Sequence, residues 1–295
     1  MIHRIHNFNS LTQLELIKAI QQTFAHATRL DLSYLFLDHS EATRLAPALA
    51  AIPANITYLD LSNNYLGNKA GKDLISMLKA IATSVNILDL RLNLLGEMKA
   101  TDLAEVIASI TPQVKTLYLN GNRFFKLEPT DLAKVLAAIP KNVTTLDLSS
   151  NIFYRKTATD LVLAFGHIPS TVNDLNLSDN GLSEKTNTEI AKILAAIPST
   201  VKTLDLSNNS LENKTDAELT ELFKMIPKTL NTIHWGNHKL KISFENSQKD
   251  QTSLPLYVGV ASLVGIASFL IGTGLFRTIQ GNNQSDLPNL SHSPL

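Results

Sequence analysis

Apolar and polar residues alternate in a short pattern that recurs along the chain. In residues 201–215, VKTLDLSNNSLENKT, Leu204 and Leu206 flank one polar residue, and Asn209 and Leu211 follow. This alternation predicts a short strand with one buried face and a sharp bend after it. Steps of 29 residues from Asp205 reach seven further positions that lie between two apolar residues. The complete column is Asp31, Asp60, Asp89, Tyr118, Asp147, Asn176, Asp205 and His234.

The Asn of this pattern recurs with the same period, without insertion or deletion. Six residues occupy the position: Asn64, Asn93, Asn122, Asn151, Asn180 and Asn209. Leu35 and His238 stand there in the first and last repeats, and terminal repeats are expected to be atypical because one face has no neighbour. We expect each Asn amide to be buried at the bend, where it satisfies backbone groups that would otherwise lack partners.

The second half of each repeat has helical spacing. In TNTEIAKILAAIP, Ile190, Ile193, Leu194 and Ile197 follow the i, i+3, i+4, i+7 rule. Four such segments open with a capping-box pair: Thr12 with Glu15, Thr157 with Asp160, Thr186 with Glu189 and Thr215 with Glu218. Five end before a residue that cannot continue a helix: Pro53, Pro140, Pro169, Pro198 and Pro227.

A strand–turn–helix unit of this size cannot bury its apolar faces alone, so neighbouring units must stack on one continuous core. We predict an α/β solenoid, a right-handed arc with a parallel sheet on the concave face and helices on the convex face. About eight 29-residue repeats fill residues 27–245. Residues 1–26 form a capping half-repeat whose helix covers about residues 12–22.

The C-terminal part of the chain leaves the repeat register. Residues 246–255 are polar and predict a linker, and residues 277–295 a polar tail. Between them, residues 256–276, LYVGVASLVGIASFLIGTGLF, contain no charged residue. As a helix this segment is about 32 Å long, the thickness of a bilayer core, which predicts a transmembrane helix rather than a buried terminal one. The first twenty residues do not resemble a signal peptide, so we expect the repeats to remain in a cytosol.

The amino-acid composition excludes several classes of partner and of chemical site. The chain carries 26 basic and 26 acidic residues, which argues against a nucleic-acid partner. It has no Cys, which excludes disulfides, thiolate metal sites and a Cys nucleophile. Two pairs of histidines, His3 with His6 and His234 with His238, stop at two ligands each, so we predict no metal site. We also predict no cofactor, no small-molecule substrate and no catalytic residue.

The constant 29-residue unit resembles the ribonuclease-inhibitor-like class of leucine-rich repeats. Its AAIPxxVxxLDLSxN segments and lack of Cys are similar to the leucine-rich-repeat effectors of Legionella, which a type IV secretion system delivers into host cells. The resemblance covers residues 1–245. It implies a protein made by a bacterium and translocated into a host cell, where it would act on an unknown host protein and be anchored in a membrane.

The acidic column admits more than one interpretation. Neighbouring strands lie about 4.8 Å apart, so its carboxylates would influence one another. They would either dock a basic partner or be solvated residues of the repeat consensus without a ligand. Hydrolysis by paired carboxylates would need a cleft and divergent environments, and a uniform column offers neither.

Departures from the consensus concentrate in the third to fifth repeats. An aromatic residue follows the core position in repeats four and five, where the preceding repeats have Gly67 and Gly96. Aromatic and Arg residues are enriched at binding hot spots, and packing between bulky neighbours is the alternative explanation. The predicted partner-binding residues are Arg91, Tyr118, Arg123, Phe125, Tyr154 and Arg155.

The function predicted from these features is a non-catalytic protein–protein interaction module tethered to a membrane, a bacterial effector that acts on a host protein. Two alternatives stay open at this point. One is a hydrolytic enzyme that uses the concave acidic column, and the other is a receptor-like surface protein that faces outward.

Overall fold

The computed structural model describes most of the repeat region and part of its two ends. The described residues are 2–4, 10–22, 26–215, 217–218, 222, 225–227, 229–235 and 240–243. The predicted linker 246–255, the apolar segment 256–276 and the tail 277–295 lie outside them. Within the described ranges, the structure contains no helix with the length and apolar character needed to span a bilayer.

Within the described residues, ten strands form one sheet in chain order. Neighbours from the first to the ninth strand are parallel, and from the second strand onward each residue pairs with the one 29 positions later. The strands are β1 Ile2–Arg4, β2 Arg29–Asp31, β3 Tyr58–Asp60, β4 Ile87–Asp89, β5 Thr116–Tyr118, β6 Thr145–Asp147, β7 Asp174–Asn176, β8 Thr203–Asp205, β9 Thr232–Trp235 and β10 Leu240–Ser243.

Consecutive helices pack side by side in the same order. Those that the structure bounds are α1 Gln13–Gln21, α2 Ala42–Ala50, α3 Gly71–Lys79, α4 Ala100–Ala108, α5 Pro129–Ala137, α6 Ala158–Phe165 and α7 Asn187–Ala196. The capping boxes at Thr12, Thr157 and Thr186 are formed in both directions, so each Thr side chain accepts from the backbone of the third helical residue. Between strand and helix, each of seven repeats makes one turn of 3₁₀-helix.

One core runs through the stacked repeats between the sheet and the helices. The Leu residues at the centres of β2 to β8 are essentially inaccessible to solvent. Phe124 and Phe153 fill the consensus Leu position and are fully buried, as the sequence predicts. Phe153 meets Phe165 of α6 edge-on, with ring centroids 5.4 Å apart. Each such side chain contributes about 1.5–3 kcal/mol through burial, so the strand–helix arc follows from the periodic apolar positions.

The two ends differ from the sequence prediction. The N-terminal half-repeat contains a strand as well as its helix, because β1 pairs with β2 at an offset of 27 residues, Ile2 with Arg29. The sheet is also not wholly parallel, since β10 runs antiparallel to β9. The last repeat strand has no following repeat to satisfy its free edge, and a returning strand covers it. Neither strand shares the 29-residue period, so neither was predicted.

Candidate protein-binding surfaces

The six Asn residues of the repeat join successive turns. Asn122 shows the arrangement: its Nδ2 donates to the carbonyls of Leu90 and Leu119, at 3.0 Å each. Its Oδ1 accepts from the backbone N–H groups of Asn93 at 3.0 Å and Leu95 at 3.2 Å. The others bond in the same way, and all six are buried. Each amide therefore satisfies backbone groups in its own turn and in the preceding repeat, which holds the turns in register.

Two residues of every turn have left-handed backbone conformation, one on each side of the Asn position. We call this edge of the arc the turn rim. The first set is Tyr34, Asn63, Leu92, Gly121, Ser150, Asp179 and Asn208. The second set is Phe36, Tyr65, Leu94, Arg123, Ile152, Gly181 and Ser210. Gly and Asn adopt this conformation most readily, so the large side chains in both sets are departures from what the backbone favours.

The acidic column has a structural role that the sequence interpretations omitted. Oδ1 of Asp31 accepts from the backbone N–H of Ser33 at 3.0 Å, and Asp147 and Asp205 accept from the residue two positions on in the same way. Asn176 makes the equivalent bond to Ser178 at 2.9 Å with a neutral amide. The column therefore closes a side-chain turn at the end of the strands that carry Asp or Asn there, for which negative charge is not required.

In the first repeats the column is neutralised by cations of the same face. Asp60 forms an ion pair with Arg29 of the preceding strand. Asp89 accepts from the Tyr58 hydroxyl at 2.9 Å and forms an ion pair with Arg91 at 2.5 Å. Both carboxylates are buried. They are therefore not available as part of a free acidic strip for a basic partner.

Aromatic rings complete this arrangement. Tyr58 and Tyr118 stack with ring centroids 6.3 Å apart. The Arg29 guanidinium lies 4.4 Å from the Tyr58 centroid, and that of Arg91 lies 5.9 Å from the Tyr118 centroid. We call the set the concave cluster. Its members are Arg29, Tyr58, Asp60, Asp89, Arg91 and Tyr118.

Burial favours the neutral forms of three members of the concave cluster, Tyr58, Asp89 and Tyr118. It raises the pKa of Tyr58 and of Tyr118, and the charge of Asp89 adds to both shifts. It also raises the pKa of the Asp89 carboxyl, with a further contribution from the charge of Asp60. The Arg91 backbone N–H, the Arg91 charge and the Tyr58 hydroxyl oppose that rise. The two tyrosine hydroxyls therefore stay protonated at alkaline pH values at which a free tyrosine ionises.

Three predicted binding residues meet on the turn rim. The Arg155 guanidinium lies 4.9 Å from the Phe125 ring centroid and 5.8 Å from that of Tyr154. Its Nε donates to the Tyr154 hydroxyl at 3.4 Å. Tyr154 and Arg155 are exposed and Phe125 is half-buried. We call these three residues the rim cluster.

The remaining predicted residues lie apart from the rim cluster. Arg123 pairs with Glu97 at 3.1 Å, and Lys126 lies 2.6 Å from the same carboxylate. Arg91 and Tyr118 belong to the concave cluster. The six residues that the sequence grouped as one surface therefore divide into three groups.

Tight packing between successive turns makes an aromatic residue unusual at the repeat position of Phe125 and Tyr154. A methyl group on Gly67 would lie 2.2 Å from the Leu94 carbonyl oxygen, and one on Gly96 would lie 2.4 Å from that of Arg123. Phe125 and Tyr154 occupy the equivalent positions in the next two repeats. The Tyr154 ring has room because the next turn has Gly181, where a methyl group would come within 3.0 Å of the ring.

A lysine ladder was missed by the sequence analysis. Lys69 Nζ donates to the carbonyl of Ser40 at 2.6 Å, and Lys214 Nζ to that of Lys185 at 3.1 Å, in each case one repeat earlier. Lys156 and Lys185 also donate to the preceding repeat. The signal was present, since these lysines are separated by multiples of 29 residues. Their ammonium groups therefore hydrogen-bond to backbone carbonyls of the solenoid.

Metal-ligating side chains do not cluster among the described residues. They contain no group of three or more His, Asp or Glu side chains placed to hold a metal ion. Of the histidines weighed as ligands, His6 and His238 lie outside the described residues.

Comparison with known proteins supports the fold. The Leucine Rich Repeat family model matches residues 55–77 and 200–222. The crystal structure of the leucine-rich repeat-containing protein LegL7 from Legionella pneumophila is similar, with a TM-score of 0.75 and 31% sequence identity over 80% of this chain and 73% of that chain.

A second structure shows weaker similarity. The yeast complex of Rad7 and Elc1 has a TM-score of 0.44 and 14% identity, over 80% of this chain and 62% of that chain, too little to support an inference. No curated protein matches significantly. The identity to LegL7, together with the stacked repeats and their Asn ladder, shows that this chain belongs to the leucine-rich repeat family.

Proposed function

We propose that this protein is a non-catalytic protein-binding module, tethered to a membrane by residues 256–276, that acts as a bacterial effector on a host protein. The leucine-rich repeat fold supports an interaction role, and the similarity to a Legionella protein supports the effector role. The observation that carries the proposal is the exposed rim cluster, where Arg155 lies against Phe125 and Tyr154.

The rim cluster has the composition of a binding hot spot. Tyr, Trp and Arg dominate such sites because they bury large areas and also form directed polar contacts. The repeat consensus does not require these side chains, since the second and third repeats have Gly at the position of Phe125 and Tyr154. Arg155 packs against both rings, so the three side chains present one preformed surface with little rotamer freedom left to lose.

The concave cluster offers a second contact surface, separate from the rim cluster. Arg29 and Arg91 remain partly exposed above their buried carboxylates, and Tyr118 lies between strands of the third and fifth repeats. A partner that covered this face would meet aromatic rings and guanidinium groups already fixed by ion pairs. Arg91 and Tyr118 are therefore retained as proposed contact residues.

The two alternatives are less consistent with the geometry. A hydrolytic mechanism needs carboxylates of different protonation in one cleft, whereas Asp60 and Asp89 bond to arginines and Asp147 and Asp205 close turns. An outward-facing receptor would need repeats outside the producing cell. We propose instead that the repeats lie in the host cytosol.

Affinity capture tests the proposal. The full chain is used as bait in host-cell lysate beside two variants, Phe125→Ala with Tyr154→Ala, and Leu163→Gln. Leu163 is an exposed apolar residue of α6, on the opposite side of the repeat. A partner that is retained by the native chain and by Leu163→Gln, but lost with the rim variant, supports the proposal. Retention by all three baits contradicts the assignment to the rim cluster.

A further inference from the structure

Four large apolar side chains project from the turn rim of the first three repeats. Tyr34, Phe36, Tyr65 and Leu92 are between 43% and 61% exposed. The rings of Phe36 and Tyr65 stack, with centroids 5.8 Å apart and an interplanar angle of 19°. We call these four residues the apolar rim patch.

The backbone gives no reason for these residue types. All four have left-handed conformation, with φ between 54° and 58°, which disfavours bulky side chains. The same positions in later repeats hold small or polar residues with one exception, Ile152, and the others are Gly121, Arg123, Ser150, Asp179, Gly181, Asn208 and Ser210. The stacking of two exposed rings does not require either to be aromatic, and the left-handed backbone disfavours both, so we explain these residue types by a contact outside the repeats.

The charge distribution along the turn rim indicates what the patch contacts. In the first three repeats its left-handed positions carry no charge, being Tyr34, Phe36, Asn63, Tyr65, Leu92 and Leu94. In the fourth repeat Arg123 and Lys126 follow, and the two cations share the single carboxylate of Glu97. Aromatic and Leu side chains beside cations are the composition that proteins place in the interfacial layer of a bilayer.

We propose that the apolar rim patch inserts into the surface of a lipid bilayer, so that the first three repeats meet the membrane at their turn rim while the rim cluster of the fourth and fifth repeats stays accessible to a protein partner. This rests on the proposed tether. The linker 246–255 spans at most about 36 Å, so an anchored arc stays close to the surface, and a few apolar side chains then suffice to orient it. The ridge of exposed rings suits insertion between lipid headgroups.

Site-specific fluorescence tests the contact. The chain has no Cys, so Asn63→Cys places a single label within the patch and Glu105→Cys places one on the convex helix α4. The full chain is reconstituted into phosphatidylcholine–phosphatidylserine liposomes that contain lipid brominated near the headgroup. We expect quenching of the Asn63 label to be several-fold greater than that of the Glu105 label.

Two variants test whether quenching of the Asn63 label depends on the apolar rim patch. Phe36→Asn with Tyr65→Asn keeps the fold, because Asn favours the left-handed conformation. We expect it to reduce quenching of the Asn63 label to the level of the Glu105 label. The control Leu163→Gln removes an equally exposed apolar side chain from α6 and should leave the quenching unchanged.

An alkaline carbonate wash of the same liposomes separates this inference from the tether. A chain that resists the wash while both labels are quenched equally keeps the tether and overturns the membrane contact of the rim, leaving a protein surface as the alternative. A chain that is washed off, yet showed selective quenching of the Asn63 label beforehand, keeps the rim contact and overturns the tether.

Discussion

Tyr58 connects its own repeat to three others on the concave face. Its hydroxyl donates to Asp89 of the next strand, and its ring lies between the Arg29 guanidinium and the Tyr118 ring. Removing this one hydroxyl would take a donor from a fully buried carboxylate. We therefore expect the Tyr58 hydroxyl to affect both the stability of the fold and the dependence of that stability on pH.

We predict that Tyr58→Phe flattens the loss of stability at high pH. Burial raises the pKa of Tyr58 in the folded state, so its stabilising contribution is complete below the unfolded value near 10 and is lost as the pH rises above it. At neutral pH the variant should lose about 1–2 kcal/mol, because Asp89 lacks a donor. Thermal unfolding of the full chain in mild detergent at pH 8 and pH 10.5 measures both effects.

The matched control for that prediction is Tyr34→Phe, which removes an exposed hydroxyl. Lys69 acts in the opposite direction, because burial lowers its pKa and favours folding as the pH rises. Comparison of each variant with the native chain removes this common contribution. An unchanged pH dependence in Tyr58→Phe would show that the hydroxyl is not held protonated by the fold.

Side-chain networks of this kind were beyond the sequence prediction for a physical reason. The 29-residue period identifies Arg91 and Tyr118 as departures, but Tyr58 reaches Asp89 along a diagonal of 31 residues. Such diagonals depend on rotamers and on the stagger between strands. The sequence therefore grouped Arg91 with Phe125 and Tyr154, whereas its side chain turns to the concave face.

The Asn-centred turn is the element on which the stacking depends. Each amide donates to carbonyls in two repeats and accepts from the turn of the preceding one. This placement was predictable, because an uninterrupted column of one amide residue beside a buried strand has few other physical explanations. The lysine ladder follows the same period but was not predicted, since a Lys is ordinarily assumed to be solvated.

We predict that Asn122→Leu and Asn151→Leu each destabilise the fold by at least about 1–3 kcal/mol, because each leaves buried backbone groups without partners. Thermal unfolding monitored by circular dichroism measures the change. Asn86→Leu, at an exposed position, is the control and should have little effect. If the two buried substitutions leave the melting temperature at the native value, the amides do not hold the turns.

The whole molecule combines a predictable interior with unpredicted ends. Strict periodicity made the arc, its sheet order and its core accessible to sequence reasoning. Strands β1 and β10 cover the open edges of the stack, and each forms from a sequence outside the period. These strands pair with the free N–H and C=O groups of the terminal repeats. Because they lie outside the 29-residue period, the repeat pattern does not predict them.

The proposed membrane tether gives a prediction for the full chain. We expect the protein to resist alkaline carbonate extraction from host membranes, and deletion of residues 256–276 to release it. Protease added to the cytosolic side should digest the repeats. Digestion only from outside intact producing cells would instead support the receptor-like alternative.

The most direct test of the central claim compares binding with stability in one variant. With the captured partner, Phe125→Ala with Tyr154→Ala should weaken the Kd by about 30-fold or more, equivalent to about 2 kcal/mol. Its melting temperature should stay close to that of the native chain, because Tyr154 is exposed and the half-buried Phe125 is not part of the hydrophobic core. Full affinity together with a markedly lower melting temperature would show that these aromatics are packing residues and that the partner binds elsewhere.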